Sequence, residues 1–507
     1  MGKFYLTTPI YYVNASPHIG HAYTNIISDC LGRFKRIKGD EVFFLTGTDE
    51  HGEKIKKAAL ADNTDVLDFV NNVSDNFKNL WEKLNISYDC FIRTTDSAHK
   101  EAVKQVIIKL NENGDIYKAK YSAFYCMPCE SFWTDTQTKD ANGKCPLCSR
   151  EVEKVEEENY FFKLSKYEDW LKQYLKDNPD CVRPKTRYNE VNGFLDNNKL
   201  ADLCISRPKA RVSWGVEFPL DCEYVVYVWF DALLNYLSGI GFGVDQEKVD
   251  KWWPADVHLM AKDILRHHAI FWPIMVHALG LAPGKIVFAH GWWKIGDEKI
   301  SKSLGNIVNP LDVIKEIGVD ALRYFLLREI PLGADGNYSS EAIITRINSD
   351  LANDVGNLVY RTLNMAEKYF QGDVSCDDCL LPVEFKQSLQ ALSVRYINLM
   401  DDLSFSKALE LIFSFIGVMN KYIEDTKPWA LHKENNLSRL KVFLCELLEG
   451  IRIVSLYLYP FMPQTSEAIN KQLGIDLIFS LDNIQWRAKA GFSTKKGKPL
   501  FPRIDVS

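Results

Sequence analysis

Two short clusters, far apart in the chain, combine residue types that bind phosphate. The first is Pro17-His18-Ile19-Gly20-His21, where a loop is predicted to become a helix. Backbone N–H groups and the helix dipole attract an anion at such a point, and the glycine lets a phosphate approach the backbone. Two imidazoles add side-chain donors. Alone, this spacing is equally compatible with histidines that cap the helix or pack in the core.

The second cluster is Lys299-Ile300-Ser301-Lys302-Ser303-Leu304-Gly305-Asn306. Two ammonium groups three residues apart, on a loop with serine and glycine, suit a mobile clamp on a triphosphate. A solvated surface charge cluster is the alternative. In this order, with α/β segments on both sides, the two clusters resemble those of class I aminoacyl-tRNA synthetases. The resemblance implies that His18 and His21 bind ATP phosphates, and that Lys299, Lys302 and Mg²⁺ stabilise the transition state of adenylation.

The surrounding pattern predicts the elements that would position these groups. Short β-prone runs at 5–7 and 41–45 flank a helix that begins near His18, and Asp49 and His51 follow the second run directly. Ligands collect at that end of strands in open α/β sheets. Further α/β segments start at Tyr224, Val257 and Lys285. Residues 116–220 therefore interrupt one sheet as an inserted subdomain, and long amphipathic segments beyond Ser340 predict an all-helical domain.

Four further motifs indicate which amino acid is activated. Residues 7–14 (TTPIYYVN), 46–52 (TGTDEHG), 228–232 (VWFDA) and 262–268 (KDILRHH) resemble the methionyl-tRNA synthetase family, and the resemblance runs over essentially the whole chain. It implies that Asp49 takes the substrate ammonium and that Asp263 holds the ATP ribose. The remaining ATP-binding residues that it implies are Gly20, His290, Gly291, Ser301 and Ser303. The side-chain pocket that it implies is lined by Ile10, Tyr12, Trp229, Ala232, Leu233, Tyr236, Ile264, His268 and Trp272.

The chemistry of a thioether agrees with that pocket. Sulfur–aromatic contacts contribute roughly 0.3–1.5 kcal/mol, and Tyr12, Trp229, Tyr236 and Trp272 supply the rings. Shape alone discriminates a methylene by only about 1–3 kcal/mol, so a hydrogen bond from Tyr12 or His268 to the sulfur is predicted as a supplement. Without the resemblance, these aromatic residues would be read as core, and Asp49 equally as a helix cap.

Four cysteines form a metal-binding pattern. Cys126 and Cys129, then Cys145 and Cys148, make two CxxC pairs separated by fifteen residues. Four thiolates can complete the closed tetrahedral shell of one structural Zn²⁺; a redox pair of disulfides is the alternative. In the family such a knuckle looks like the part that props the insert over the active site. Cys376 and Cys379 lack a second pair nearby in sequence and are predicted to lie in a surface loop.

The helical domain carries candidate tRNA-binding residues. Asn357 and Arg361 are four apart on one predicted helix face, and Pro428-Trp429 follows a long amphipathic segment. These positions resemble the family's reader of the CAU anticodon, in which a tryptophan stacks on a base and polar side chains read its edges. Trp429 could instead cap the bundle core. The basic residues of 481–507 are predicted to form a solvated tail that could follow the tRNA backbone.

Length and composition limit the remaining possibilities. The chain has 507 residues, 46% of them hydrophobic and 25% charged, with a net charge of −6, which excludes wholesale disorder and a uniformly basic nucleic-acid coat. We expect a cytoplasmic protein with no membrane segment, and a monomer, because no appended OB-type domain is recognisable. The expected partners are L-methionine, ATP and tRNA(Met). The rivals are a leucine, isoleucine or valine enzyme, whose editing insert of roughly two hundred residues has no room here, a small nucleotidyl transferase, and a catalytically idle tRNA-binding relative.

The expected fold is thus an α/β Rossmann-like class I synthetase catalytic domain with a zinc-knuckle insertion, followed by an all-α anticodon-binding helical bundle. The predicted divisions are 1–115 and 221–297 for the two catalytic halves, 116–220 for the insertion, 298–345 for the lysine loop and stem-contact linker, 346–480 for the bundle and 481–507 for the tail.

Overall fold

The structure, a computed structural model, describes residues 2–146, 148–296, 298–299, 308–476 and 478–505, with the backbone alone for 298–299. Its first part alternates strands and helices. In chain order these are β1 (Lys3–Thr7), β2 (Tyr11–Tyr12), α1 (Ile19–Ile37), β3 (Glu41–Asp49), α2 (Glu53–Ala61), α3 (Val66–Lys83), β4 (Cys90–Arg93) and α4 (Ser97–Glu112). Strand β3 pairs in parallel with β1, β2 and β4. Its apolar run from Val42 to Leu45 suits a strand covered on both faces.

The insertion is a small antiparallel sheet with short helices. Its elements are β5 (Ile116–Cys126), β6 (Ser131–Trp133), α5 (Asp135–Asp140), β7 (Glu153–Phe162), α6 (Glu168–Asp177), β8 (Val182–Arg183), α7 (Lys185–Asn197), β9 (Leu203–Cys204) and β10 (Ser206–Pro208). The sheet order is β6-β5-β7-β9. Strand β8 does not join it, because Val182 and Arg183 pair in parallel with the catalytic sheet. The insertion therefore returns one strand to the sheet that it interrupts.

The second catalytic part completes the sheet. It contains β11 (Tyr224–Val226), α8 (Val228–Leu233), α9 (Asn235–Ser238), α10 (Gln246–Trp252), β12 (Val257–Ala261), α11 (Trp272–Ala278), β13 (Ile286–His290), β14 (Trp293–Ile295) and β15 (Glu298–Lys299). The parallel order becomes β2-β3-β1-β12-β13-β8, with Thr7 beside both Leu45 and His258. The segment that starts at Tyr224 was expected to belong to this sheet, but its strand β11 pairs with β10 instead, ends at Val226 and leads into α8.

The C-terminal part is helical. It contains α12 (Pro310–Ile317), α13 (Val319–Arg328), β16 (Gly336–Asn337), α14 (Ser340–Arg346), a π-helical segment (Ile347–Gly356), α15 (Asn357–Phe370), β17 (Asp373–Cys376), α16 (Val383–Asp401), α17 (Phe405–Thr426), α18 (Pro428–Lys433), α19 (Leu437–Leu458), α20 (Pro463–Leu473) and β18 (Ala490–Ser493). Wholly buried Arg323 on α13 donates to Asp29 on α1 at 2.6 Å and to the Phe461 carbonyl at 2.8 Å. The ion pair joins α13 to the catalytic domain, and the bond to Phe461 joins the same helix to the segment between α19 and α20.

Two expectations about this part are wrong. Cys379 is fully buried and Cys376 ends a strand, so these cysteines do not form a surface loop. The tail is not simply solvated either, because β18 pairs with β17 and buries Ala490 and Phe492. Its Arg487 holds the buried carboxylate of Glu449 at 2.7 Å. In β18 the buried Ala490 and Phe492 alternate with the exposed Gly491 and Ser493, and this alternation lets the strand close the bundle.

Candidate active site

A cavity of about 600 Å³ opens at the carboxyl ends of the parallel strands. Its floor comes from the loop after β1, from Asp49 at the end of β3, and from Ala261 and His290, which end β12 and β13. The start of α1 and helices α8 and α9 supply its walls. Parallel strands collect ligands at this edge because the connecting loops leave a crevice there.

The two histidines of the first cluster form the cavity wall at the beginning of α1. His18 is the N-cap, and its Nδ1 accepts from the Gly20 N–H at 3.0 Å, while the Nδ1 of His21 accepts from the His18 N–H at 3.2 Å. The rings stack at 3.9 Å. Because each Nδ1 is an acceptor, each neutral ring must carry its hydrogen on Nε2. The histidines therefore do cap the helix, as the alternative interpretation expected. The same hydrogen bonds place the hydrogen of each neutral ring on Nε2, from which it can be donated.

Gly20 makes this arrangement possible. A Cβ at this position would lie 2.9 Å from Cε1 of His18 and 3.1 Å from its Nδ1. Any residue with a Cβ at position 20 would push the His18 ring away from the helix end. Gly291 is constrained in the same way, because a Cβ there would overlap the Ala334 carbonyl. Both glycines line the cavity.

Asp49 supplies a buried carboxylate with an unsatisfied oxygen. The residue is 7% exposed, lines the cavity, and its Oδ1 has no hydrogen-bond partner among the described residues. Burial, and then the charges of Asp231 and Glu130, raise its pKa well above the usual value. A carboxylate in such surroundings gains strongly from a cationic partner. It is not a helix cap, because it ends strand β3.

The predicted methionine pocket is largely assembled in this cavity. Eight of its side-chain residues line the wall: Ile10, Tyr12, Trp229, Ala232, Leu233, Tyr236, Ile264 and His268. Trp272 does not. It is 1% exposed and packs edge-on against Tyr236 at 5.4 Å. Its indole N–H donates to Nε2 of buried His258, so it supports the wall from behind.

The two predicted donors to the sulfur are already engaged. The Tyr12 hydroxyl donates to Glu130 Oε2 at 2.6 Å. His268 Nδ1 lies 2.9 Å from the Ile264 carbonyl, which can only accept, so this nitrogen carries the hydrogen. Its Nε2 then accepts from the Tyr236 hydroxyl at 2.6 Å. Burial lowers the pKa of His268 to about 4, so the ring is neutral near pH 7.

The ATP side of the cavity is only partly described. Asp263, His290 and Gly291 line it, and the Trp292 indole N–H donates to Asp263 at 3.2 Å. The backbone of Lys299 pairs with Lys294 of β14, which directly follows the cavity residue Trp293. Ser301, Lys302 and Ser303 lie outside the described residues, as does the side chain of Lys299. The start of the lysine loop thus lies beside the cavity.

The four predicted metal ligands come together. The sulfur atoms of Cys126, Cys129, Cys145 and Cys148 all lie within 4.8 Å of one another. Two of the separations are 3.6 Å (Cys126 to Cys148) and 4.0 Å (Cys145 to Cys129). A tetrahedral Zn²⁺ with Zn–S bonds of about 2.3 Å requires sulfurs about 3.8 Å apart. The donor set fits zinc, and all four cysteines are free of disulfides.

The predicted anticodon residues lie on the surface of the helical domain. Asn357 is exposed on α15, and Arg361, one turn later, pairs with Glu424 of α17 at 2.7 Å. Four residues after Glu424 the chain begins α18 with buried Pro428, and Trp429 is 50% exposed. The latter exposure excludes the alternative in which this tryptophan completes the bundle core.

Sequence reasoning missed several residues of the site. Glu130, Lys54, Asn235 and His267 also line the cavity, and His267 stacks on Trp229 at 4.0 Å. Behind the wall, buried Asp231 of α8 lies between two imidazoles, 2.7 Å from His51 and 2.9 Å from His99. Asp231 and His51 stood inside motifs already singled out, so a buried acid–histidine pair was open to prediction. The only sequence feature that pointed to Glu130 was its position next to Cys129.

Comparisons with known proteins decide the family. The family model described as tRNA synthetases class I (M) matches residues 4–155 and 141–363, and that of the anticodon-binding domain of tRNA ligase matches 384–495. The methionine–tRNA ligase of Clostridium tetani is 48% identical over 99% of this chain and 79% of its own length. The chain belongs to the methionine–tRNA ligase family. The enzyme of Caldanaerobacter subterraneus is 47% identical over the same shares.

A solved structure of the methionine–tRNA ligase family has the same fold. Mycobacterium tuberculosis methionyl-tRNA synthetase bound by methionyl-adenylate superposes with a TM-score of 0.93 at 39% identity, covering 99% of this chain and all of that one. The expected family and fold class are confirmed.

Asn357 and Arg361 precede the matched anticodon-binding segment. Among the described helices, none has the length and apolarity needed to cross a bilayer.

Proposed function

We propose that this chain is a methionine–tRNA ligase, which activates L-methionine with ATP to methionyl-adenylate and transfers it to the 3′ end of tRNA(Met). The observation that carries the proposal is the convergence on one cavity of an unsatisfied buried carboxylate, Asp49, an aromatic slot around Trp229, and the Nε2–H donors of His18 and His21. Ammonium, thioether and phosphate groups of one substrate pair would each find a partner there.

Methionine binding would combine one strong polar contact with apolar walls. The ammonium would pair with Asp49, and the thioether would lie against Tyr12, Trp229 and Tyr236 at roughly 0.3–1.5 kcal/mol per sulfur–aromatic contact. Because His268 donates to Ile264 and accepts from Tyr236, it has no N–H left for the sulfur. Selection against isosteric side chains would then rest on the shape and polarisability of the slot.

Adenylation would rest on positioning and electrostatics rather than on a protein nucleophile. The methionine carboxylate would attack the α-phosphorus in line, and pyrophosphate would leave. The Nε2–H groups of His18 and His21 would donate to phosphate oxygens, and Lys299 and Lys302 would neutralise charge on the leaving group. Asp263 would accept from the ribose hydroxyls. The remaining ATP contacts proposed are Gly20, His290, Gly291, Ser301 and Ser303. ATP would enter as its Mg²⁺ complex, which supplies further charge neutralisation.

The role of Lys302 has a direct test. Replacing it with alanine should depress methionine-dependent ATP–pyrophosphate exchange by a factor of about 100 or more, since one preorganised charge contact of this kind contributes about 3–4 kcal/mol. The circular dichroism spectrum should be unchanged, because the contact is to substrate. Normal exchange in Lys302→Ala would refute the clamp.

The cysteine cluster would hold one Zn²⁺ through Cys126, Cys129, Cys145 and Cys148, and would act structurally because a four-thiolate shell leaves no open position.

In the helical domain, Trp429 would stack on an anticodon base while Asn357 and Arg361 read polar edges, with Pro428 fixing the start of α18. The domain divisions given above, a monomeric state and a cytoplasmic location are proposed with these roles. Sedimentation at assay concentrations tests the monomer.

Aminoacylation tests the whole proposal. Transcripts of tRNA(Met) and of the same tRNA with an altered anticodon would be offered with radiolabelled methionine. We expect charging of the first transcript and little of the second. Failure to charge tRNA(Met), in protein that catalyses methionine-dependent pyrophosphate exchange, would leave an adenylating enzyme with another acceptor.

A further inference from the structure

Glu130 connects the cysteine cluster to the cavity, because it is joined directly to Cys129 and itself lines the cavity. It directly follows Cys129 and adopts a left-handed conformation, with φ 47° and ψ 47°. That conformation is unfavourable for a residue with a Cβ and persists only where the surroundings hold it. The residue is 4% exposed and lines the cavity.

The side chain of Glu130 holds one wall of the proposed methionine pocket. Its Oε2 accepts from the Tyr12 hydroxyl at 2.6 Å, and its Oε1 accepts from the Lys54 N–H at 3.0 Å. Gly52, at φ 112°, makes the approach possible, since a Cβ there would lie 2.6 Å from the Tyr12 hydroxyl and 2.7 Å from each Glu130 carboxylate oxygen. The carboxylate is thus built into the junction of β2 and α2.

The backbone of Glu130 holds the opposite wall. Its carbonyl accepts from the Trp229 indole N–H at 3.1 Å and from the Tyr227 hydroxyl. Tyr12 and Trp229 come from elements more than 200 residues apart in sequence, and both take their polar partner from this one residue. The Lys54 ammonium adds a bond to the Pro128 carbonyl at 3.2 Å, within the same cysteine loop.

We propose that Glu130 is a positioning residue that couples metal loading of the cysteine cluster to methionine binding. A tetrahedral metal fixes the position of Cys129 and therefore of the next peptide, which keeps the Glu130 carboxylate and carbonyl under Tyr12 and Trp229. Loss of the metal releases that constraint, and both pocket walls lose their common support. The inference rests on the proposed function, because it assigns the cavity to methionine.

The coupling is measured as methionine affinity with and without metal. Tryptophan fluorescence, which Trp229 reports from the cavity wall, gives the dissociation constant of methionine for the full chain loaded with Zn²⁺, stripped by a chelator, and reloaded. For wild type we expect stripping to weaken binding by about tenfold and reloading to restore it. ATP affinity should change far less, because the hydrogen bonds of Glu130 go to Tyr12, Lys54, Tyr227 and Trp229, which lie on the proposed methionine side of the cavity.

Glu130→Ala should weaken methionine binding in the loaded protein and should respond to stripping by a clearly smaller factor than wild type, since its side-chain route to Tyr12 and Lys54 is gone. Glu130→Gln, which keeps the volume, is measured in the same way and should also show reduced coupling. Glu153→Gln changes an exposed carboxylate of the same insertion that pairs with Arg211. This control should retain the wild-type response.

Four results decide the matter. The coupling would be overturned if the methionine affinity of wild type does not change on stripping. It would also be overturned if wild type and both Glu130 variants lose affinity by the same factor on stripping. The proposal is supported if the Glu130 variants show reduced coupling while wild type and Glu153→Gln do not. If loaded wild-type protein does not bind methionine at all, the proposed function fails instead, and the two failures are thereby distinguished.

Discussion

Replacing Asp49 with asparagine tests the polar anchor of the proposed pocket while leaving its shape unchanged. The carboxylate is 7% exposed, and its Oδ1 lacks a partner among the described residues, so an incoming ammonium would form a desolvated ion pair. Opposite charges about 3 Å apart attract by about 5 kcal/mol at an effective dielectric constant of about 20, before desolvation is subtracted. Truncating one partner of such a pair costs about 2–5 kcal/mol.

Methionine affinity should therefore fall by a factor between about 30 and about 5,000 in Asp49→Asn. Equilibrium fluorescence titration measures it, with two analogues as probes. Wild type should bind methioninol, which keeps the ammonium, far better than 4-(methylthio)butanoate, which lacks it. The variant should lose that preference, because asparagine offers no charge. Asp62→Asn, at the end of α2, is the surface control. An affinity within twofold of wild type, with the preference retained, would refute the anchor.

Three further predictions concern the phosphate site, the buried histidines and the helical domain. Gly20→Ala should reduce the rate of pyrophosphate exchange by up to about 100-fold, because the new Cβ displaces the His18 ring. Burial lowers the pKa of His258 to about 3 and of His268 to about 4. The unfolded chain therefore binds more protons below pH 6.5, and urea unfolding at pH 5.5 should show about 3 kcal/mol less stability from these two residues than at pH 7.5. Trp429→Ala should raise the KM for tRNA by about 5-fold to 150-fold in charging assays, with pyrophosphate exchange little changed.

Each of these predictions has a matched control. Gly32→Ala lies on the same helix, where a Cβ comes no closer than 3.6 Å to other atoms, and equal damage by both alanines would contradict the His18 argument. His268→Gln should shrink the pH dependence of stability by about 1.4 kcal/mol, whereas Leu380→Ala, an exposed change without a titratable group, should leave it unchanged. Val394→Ala, an exposed change on α16, is compared with Trp429→Ala. An unchanged KM for tRNA in the tryptophan variant would count against base stacking.

The fold was largely predictable because it follows from sequence patterns within short segments of the chain. Alternating strand and helix periods marked the two catalytic halves, and the spacing of four cysteines marked the cluster that the structure brings together. The first histidine cluster was located correctly at a helix start, but its N-cap hydrogen bonds depend on backbone geometry that spacing alone does not give. Those bonds set the tautomers, and hence the donors presented to the cavity.

The remaining features depend on contacts between distant parts of the chain. Trp272 looked like a wall residue, yet its indole turns to His258 and leaves Tyr236 on the cavity surface. Cys379 was predicted to lie in a surface loop because it has no second cysteine pair nearby in sequence, but the tail covers it through Trp486, whose indole N–H donates to the Cys379 carbonyl. Glu130 carries no sequence signal for its four partners, which come from three separate segments.

The central claim is that one cavity binds methionine and ATP together for adenylation. ATP–pyrophosphate exchange with the full chain, offered methionine, leucine and homocysteine in turn, tests it most directly. We predict exchange that depends on methionine, weaker exchange with homocysteine, which would enter the same slot, and none above background with leucine. Absence of methionine-dependent exchange in folded protein, or equal exchange with leucine, would contradict the account.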